Sequence, residues 1–265
     1  MTKIVDKNKF GPWAIITGAS SGIGKEFARQ LAASGLNVVL VARRLSLLED
    51  IGGGLAKEFG IQYRAIEADL AEENSIGKLV KAVDDLDIGL LISNAGTGKV
   101  GRFLAFEEEE LKWFVRLNAI SHLSLAHRFG RKFKKRGKGG ILFTGAMGAY
   151  DGVPFMASMA ASKAFLLSLG KSLHHEFRKT GINITVLITS PTETPIISKL
   201  GFDKGKMPMK PLSVGQCVEE GLVALKNNRP SVLPGRAYRI MNALVPGAIK
   251  RKMTGDIFQR NNKID

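Results

Sequence analysis

Three features of this 265-residue chain predict an α/β fold built on a single doubly wound parallel sheet. Short β-branched runs alternate with longer amphipathic helical patterns through most of its length, which is the rhythm of right-handed βαβ units. The first run breaks at glycines directly into a helix, in WAIITGASSGIGKEFARQLAASG at residues 13–35. No segment has linker composition and no internal repeat interrupts the alternation, so residues 1–265 read as one domain with one core.

The elements follow in order. After the opening strand, a helix presents Ile23, Phe27, Leu31 and Ala32 on one apolar face. The turn between them carries Gly18, Gly22 and Gly24 in a G-x-x-x-G-x-G spacing, not the G-x-G-x-x-G of the general dinucleotide fingerprint. Backbone N–H groups of such a turn and the positive end of the helix converge on one point, which makes a phosphate site. A second strand, 36–42, ends at Arg43 and Arg44. About 20 residues beyond the glycine loop, an acid would bind the ribose 2′-hydroxyl of NAD and an arginine the 2′-phosphate of NADP. Two arginines and no acid predict NADP(H) in preference to NAD(H).

A helix at 45–59 and a strand at 62–67 lead to Ala68, Asp69 and Leu70; a helix at 72–83 and a strand at 89–93 lead to Asn94, Ala95 and Gly96. The next helix begins near the acidic cluster 107–110 and carries Asn118. A basic, glycine-ended run delivers a fifth strand at 141–144, followed by a helix over 154–178 and a sixth strand at 183–189. Beyond it lie a variable substrate loop at about 192–212, with a mobile-looking stretch 199–211, a helix 213–227 and a short strand 231–233. The C-terminal extension, about 236–265, is a basic amphipathic tail. Its apolar face of Ile240, Leu244 and Val245 is expected to pack on the core in preference to a membrane surface.

Composition narrows the function. The net charge of +15 is concentrated in Arg128, Arg131, Lys132, Lys134, Lys135, Arg136 and Lys138 and again at Lys250, Arg251 and Lys252. Such charge can attract nucleic acid, an anionic membrane surface, or an acidic carrier protein or substrate, but no recognition helix or stacking aromatics accompany it, so it is read first as a solvated basic surface and specific nucleic-acid binding is not expected. One cysteine, Cys217, allows no internal disulfide, and no Cys/His cluster suggests a metal. The N-terminus lacks the apolar stretch of a signal peptide, and no run reaches membrane-spanning length. A soluble cytoplasmic protein is the expectation.

The motifs together resemble the short-chain dehydrogenase/reductase family over most of the chain. TGASSGIG, which supplies Thr17, Gly18, Ser20, Ser21, Gly22, Ile23 and Gly24, resembles that family's cofactor loop. The resemblance implies a Rossmann-like fold, Asp69 and Leu70 at the adenine edge, and Asn94, Ala95 and Gly96 shaping the cofactor groove. It further implies that Asn118 bonds the backbone of its helix and positions a proton-relay water, and that Lys163 grips the nicotinamide ribose. Thr192 and Thr194, in the Pro191–Thr194 run, resemble the family's continuation after the sixth strand. The tail resembles a bacterial branch related to acyl- and steroid-handling reductases, which implies a small acyl or cyclic carbonyl substrate. A homodimer or homotetramer is implied through helices 107–136 and 154–178, the second rich in Phe155, Met156, Phe165, Leu166 and Leu169.

The chain departs from the family where the chemistry should be. Active members use a tyrosine in a Y-x-x-x-K helix, whose i,i+4 spacing lets the lysine charge favour the tyrosinate, and a serine after the fifth strand. Here the helix reads MASMAASKAF, with Met159 at the tyrosine position and Lys163 retained, while Ala146 stands at the serine position. Thr189 and Ser190 stand where the family has Pro-Gly. Ser158 is rotated about 100° from the tyrosine position. Tyr150 is the preferred replacement acid, with Asp151 beside it, whereas His122 reads as a core histidine and His174 and His175 have no assigned role. An NADP(H)-binding oxidoreductase with impaired or modified hydride and proton chemistry is therefore expected. A non-redox isomerase, lyase or cyclase using Lys163 as base or anchor, and a catalytically silent binding protein, remain the alternatives.

Overall fold

The computed structural model describes residues 4–200, 209–262 and 264, so residues 201–208 of the expected substrate loop lie outside the described residues. Seven strands form one parallel sheet: β1 (Trp13–Thr17), β2 (Asn37–Ala42), β3 (Tyr63–Glu67), β4 (Ile88–Ser93), β5 (Gly139–Ala146), β6 (Ile182–Thr189) and β7 (Ser231–Val232). Their order is β3-β2-β1-β4-β5-β6-β7, which reverses direction between β1 and β4 and opens a crevice there at the carboxyl ends.

Side chains alternate across the strands and feed two cores. Ala14 and Ile16 face α2 (Gly22–Ala33), α3 (Leu45–Phe59) and α10 (Val214–Lys226), meeting Phe27, Leu31, Leu48 and Leu222. Ile15 faces the opposite layer, where α4 (Ser75–Lys81), α6 (Ser121–Arg136) and α8 (Ala157–Phe177) contribute Leu79, Phe129, Phe133 and Leu166. A short α1 (Lys7–Phe10) precedes the sheet and buries Phe10.

Three boundaries differ from expectation for identifiable reasons. Strand β5 begins at Gly139, because side chains at Gly139 and Gly140 would occupy the space of the Phe133 and Phe10 rings. The helix expected over 107–136 is α5 (Glu108–Val115) joined to α6 by a π-helical segment, Arg116–Ile120, which contains Asn118. The helix expected from residue 72 starts at Ser75, after Asn74 in a left-handed conformation.

The tail corrects a further expectation. It forms α11 (Arg236–Leu244) and α12 (Gly247–Asn261), but Ile240 and Leu244 do not pack on the core: they are 49% and 76% exposed. Tyr238 takes the inward position, with its hydroxyl donating to Lys210 O at 3.1 Å, and Met241, one turn on, packs behind it. Residues two and six beyond Tyr238 lie on the far side of a helix with 3.6 residues per turn, so burying Tyr238 turns Ile240 and Leu244 outward. Helix α12 is held by an ion pair from Lys250 to Asp151 at 2.6 Å, on α7 (Gly148–Asp151), and by buried Phe258.

Candidate active site

The crevice is a cavity of about 640 Å³ above the carboxyl ends of β1, β2, β4, β5 and β6. One end is built by the glycine turn. Thr17 is buried, and its Oγ1 accepts from the backbone N–H groups of Asn94 (2.9 Å) and Ala95 (3.0 Å) while donating to Ile92 O at 3.3 Å. Asn94 returns a bond from Nδ2 to Thr17 O at 3.0 Å, which ties the ends of β1 and β4 together. Gly18 has φ +69°, and a Cβ at Gly24 would collide with Gly18 O and Asn94 Nδ2. The turn is thus a cradle that side chains would fill, opening onto the N-terminus of α2, and it fits a dinucleotide's phosphates.

Arg43 and Arg44 flank this end. Arg44 donates from Nη2 to Ser20 Oγ at 3.0 Å, which places its guanidinium against the glycine turn. Arg43 is 63% exposed at its side chain, lies 3.9 Å from Asp69 Oδ2 and stacks 5.7 Å from the Trp113 ring centroid. Asp69 accepts from Ala71 N at 2.9 Å, so its carboxylate is oriented by its own turn. Leu70, Ser21, Gly22, Ile23, Ala95, Gly96, Thr192 and Thr194 also line the crevice.

The opposite end gathers Asn118, Lys163, Thr144, Ala146 and Met159. Both polar atoms of Asn118 engage the Thr97 peptide, Oδ1 accepting from N at 3.1 Å and Nδ2 donating to O at 2.8 Å. Asn118 therefore bonds the loop after β4, where its side chain was expected to bond the backbone of its own helix. Lys163 is buried and donates from Nζ to Thr144 O at 2.8 Å; burial lowers its pKa from 10.5 to about 8. Thr144 Oγ1 is buried without a hydrogen-bond partner among the described residues.

His122 is structural. Burial, reinforced by the Lys163 charge, lowers its pKa to about 3. The neutral ring donates from Nε2 to Ala95 O at 2.8 Å and accepts at Nδ1 from Ser93 Oγ at 2.7 Å. It thus fixes the Ala95 peptide that shapes the groove.

Of the substituted positions, Met159 and Ala146 carry no transferable proton, and Thr189 and Ser190 carry hydroxyls. Met159 turns its Sδ toward Gly98 and joins Met156, Phe258 and Leu200 in an apolar wall. Thr189 Oγ1 donates to Gly145 O at 3.0 Å, and Ser190 Oγ faces Pro234 O at 3.5 Å, so both hydroxyls turn toward backbone carbonyls. Tyr150 is not brought to the crevice: it sits on α7, 39% exposed and outside the cavity lining, with burial raising its pKa. Asp151 beside it is engaged by Lys250. Sequence reasoning missed Thr254 and Phe258, which reach the cavity from α12. Their only advance signal was the i,i+4 spacing on a helix whose docking face could not be assigned.

Comparisons with known proteins agree with this architecture. Residues 12–204 match the family described as short chain dehydrogenase. A 7beta-hydroxysteroid dehydrogenase of Clostridium sardiniense is 30% identical over 189 residues, which span 71% of this chain and 72% of that protein. A solved 7beta-hydroxysteroid dehydrogenase, studied for its stereoselectivity, superposes with a TM-score of 0.86 at 25% identity, covering 94% of this chain and 98% of its own. A short-chain dehydrogenase from Sphingobium yanoikuyae in complex with NADPH gives 0.81 at 28% identity, covering 93% and 96%. Since the family match runs through the sheet and the glycine turn, and both solved folds superpose on nearly the whole chain, the protein belongs to the short chain dehydrogenase family.

Proposed function

We propose that this protein binds NADP(H) in the crevice and is an oxidoreductase whose carbonyl chemistry is impaired by loss of its proton donors. The observation that carries the proposal is the asymmetry of the cavity. Its nucleotide end keeps the cradle at Gly18 and Gly24 and adds Arg43 and Arg44, whereas its reaction end presents Lys163 to a methionine and an alanine. NADPH in a structural neighbour supports the cofactor assignment. When bound, the dinucleotide would supply the hydride.

The chain's own residues would do the rest. Thr17 and Asn94 lock the turn, Arg43 and Arg44, with Ser20, would hold the 2′-phosphate by charge-assisted bonds, and Lys163 would hold the nicotinamide ribose. Met156, Met159 and Phe258 exclude water and suit an apolar cyclic or acyl carbonyl, in keeping with the hydroxysteroid named for the relatives. Neither Met159 nor Ala146 can deliver a proton to a reacting oxygen. A second reading, Lys163 as the base of a non-redox reaction, is favoured by its pKa of about 8, which leaves a fraction of neutral amine near neutrality. Assembly would use the faces where Val115, Ile120, Leu123 and Phe165 remain exposed.

Calorimetry with NADPH and NADH tests the cofactor assignment. One charge-assisted bond to a 2′-phosphate contributes roughly 1.5–3 kcal/mol, so NADPH should bind at least about tenfold tighter. Changing Arg43 to Asp should reverse the order. Equal affinities, or no binding of either, would refute the assignment.

A further inference from the structure

We propose that the α11–α12 hairpin docks this protein on the surface of an anionic lipid bilayer. The observation is the outward face of the tail. Ile240 and Leu244 on α11 are joined by Ile249 (50% exposed) and Met253 (45%) on α12, each pair four residues apart and so on one side of its helix. Arg236, Lys252 and Arg260 are exposed on the same two helices, while Arg251 turns inward to Asp151 O, and Asp256 is the acid between residues 236 and 262. Aliphatic side chains flanked by cations on a surface helix are the chemistry of an interfacial anchor, with the apolar face entering the headgroup boundary and the cations meeting anionic lipid.

The hairpin is anchored from behind, so this face is presented by a fixed scaffold. Lys250 pairs with Asp151, Arg239 pairs with Glu220 at 2.9 Å, and Tyr238 and Phe258 are buried. Two other occupants fit less well. A second copy of the chain on a two-fold axis would set identical basic patches against each other. A protein groove would be expected to meet aromatic anchors, but both aromatic side chains of the hairpin point inward and the exposed set is aliphatic.

Position gives the contact a use. Thr254 and Phe258 line the cavity from the inner side of α12, while Ile249 and Met253 lie on its outer side. A bilayer bound to the outer face would stand beside the apolar end of the crevice, where a sparingly soluble ligand could pass between them. This inference does not depend on which cofactor binds.

Vesicle flotation of the full chain tests it, using phosphatidylcholine alone and an equimolar mixture with phosphatidylglycerol. The protein should float with the mixture and stay behind with the neutral vesicles. Leu244→Glu with Ile249→Glu, at positions already facing water, should reduce flotation at least about tenfold while leaving the thermal midpoint and NADPH binding unchanged. Lys252→Glu with Arg260→Glu should also release the protein. Absence of flotation by the unmodified chain overturns the proposal. So does loss of flotation on reversing Lys134 and Lys135 of α6 with the hairpin variant still bound, or a change in solution mass in the hairpin variant, which would identify a second copy as the occupant.

Discussion

If the proposed function holds, a phenol at position 159 and a hydroxyl at position 146 should raise carbonyl reduction by this protein. Met159 lies one turn before Lys163 on α8, and its Sδ fills space that Gly98, lacking a Cβ, leaves open. Met159→Tyr can therefore place a ring in volume the thioether already occupies. Lys163 Nζ uses one donor on Thr144 O, leaving others for a new partner. A cation about 4 Å from a phenolate contributes about 4 kcal/mol at an effective dielectric constant of about 20, enough to draw the phenol from about 10 toward about 7. An acid poised near the working pH contributes about 10²–10⁴ in rate, or roughly 3–5 kcal/mol of barrier. Ala146→Ser supplies the polar partner that a buried phenol requires. The double variant should gain ketone reduction of that order over a panel of cyclic and acyl ketones, followed by NADPH absorbance, with Met159→Tyr alone giving part of the gain and Ala146→Ser alone none. The reasoning is refuted if the unmodified protein matches the double variant, or if the double variant stays silent although calorimetry shows NADPH bound.

Other consequences can be checked independently. Lys163 carries a pKa of about 8 in the fold against 10.5 unfolded, so the unfolded chain holds more protons between those values and stability should rise with pH across that window, by up to about 3 kcal/mol; Lys163→Met should flatten this arm in thermal melts. His122, lowered from 6.5 to about 3, contributes stability that is present above pH 6.5 and lost as pH falls toward 3, so urea midpoints should decline over that range and decline less in His122→Asn. Gly24→Ala drives a Cβ into Gly18 O and should cost about 1–3 kcal/mol in thermal unfolding and abolish NADPH binding by calorimetry. Phe165→Glu with Leu123→Glu, at exposed positions of α8 and α6, should shift light scattering from an oligomer to a monomer without lowering the melting temperature.

The sheet was legible because its signals are local. A β-branched run such as NVVLVA forms a strand whichever neighbour it pairs with, and its place beside β1 follows from the tendency of consecutive strands to be neighbours. The glycine turn was equally readable, since Gly18 and Gly24 answer to backbone geometry within a few residues. Gly139 and Gly140 were not read as strand, because their place in β5 depends on the Phe133 ring, folded back from the preceding helix, and on the Phe10 ring, distant in sequence. Asn118 was found, but the peptide it bonds lies 21 residues away across a π-helical turn that no periodicity announces.

The tail shows why an amphipathic pattern alone does not choose its buried side. Helix α11 has two apolar faces, one with Tyr238 and Met241 and one with Ile240 and Leu244, and hydropathy favours the second. The choice is made by contacts outside the helix. Lys210 O receives the Tyr238 hydroxyl, and Asp151 and Glu220 fix Lys250 and Arg239. None of these partners lies close enough in sequence to enter a helical-wheel argument. The same logic hid Thr254 and Phe258, since their approach to the cavity depends on α12 docking at α7 through Lys250. A helix that lines the cavity with one side and exposes Ile249 and Met253 on the other is thus positioned by buried Phe258, the Lys250–Asp151 ion pair and the hydrogen bonds of Arg251 to Asp151 O and of Lys250 to Asn242 Oδ1. Removing that pair with Lys250→Met should loosen the cavity wall before it unfolds the sheet, because the two clusters that cover the strands take Tyr238 and Met241 from α11 but no residue from α12.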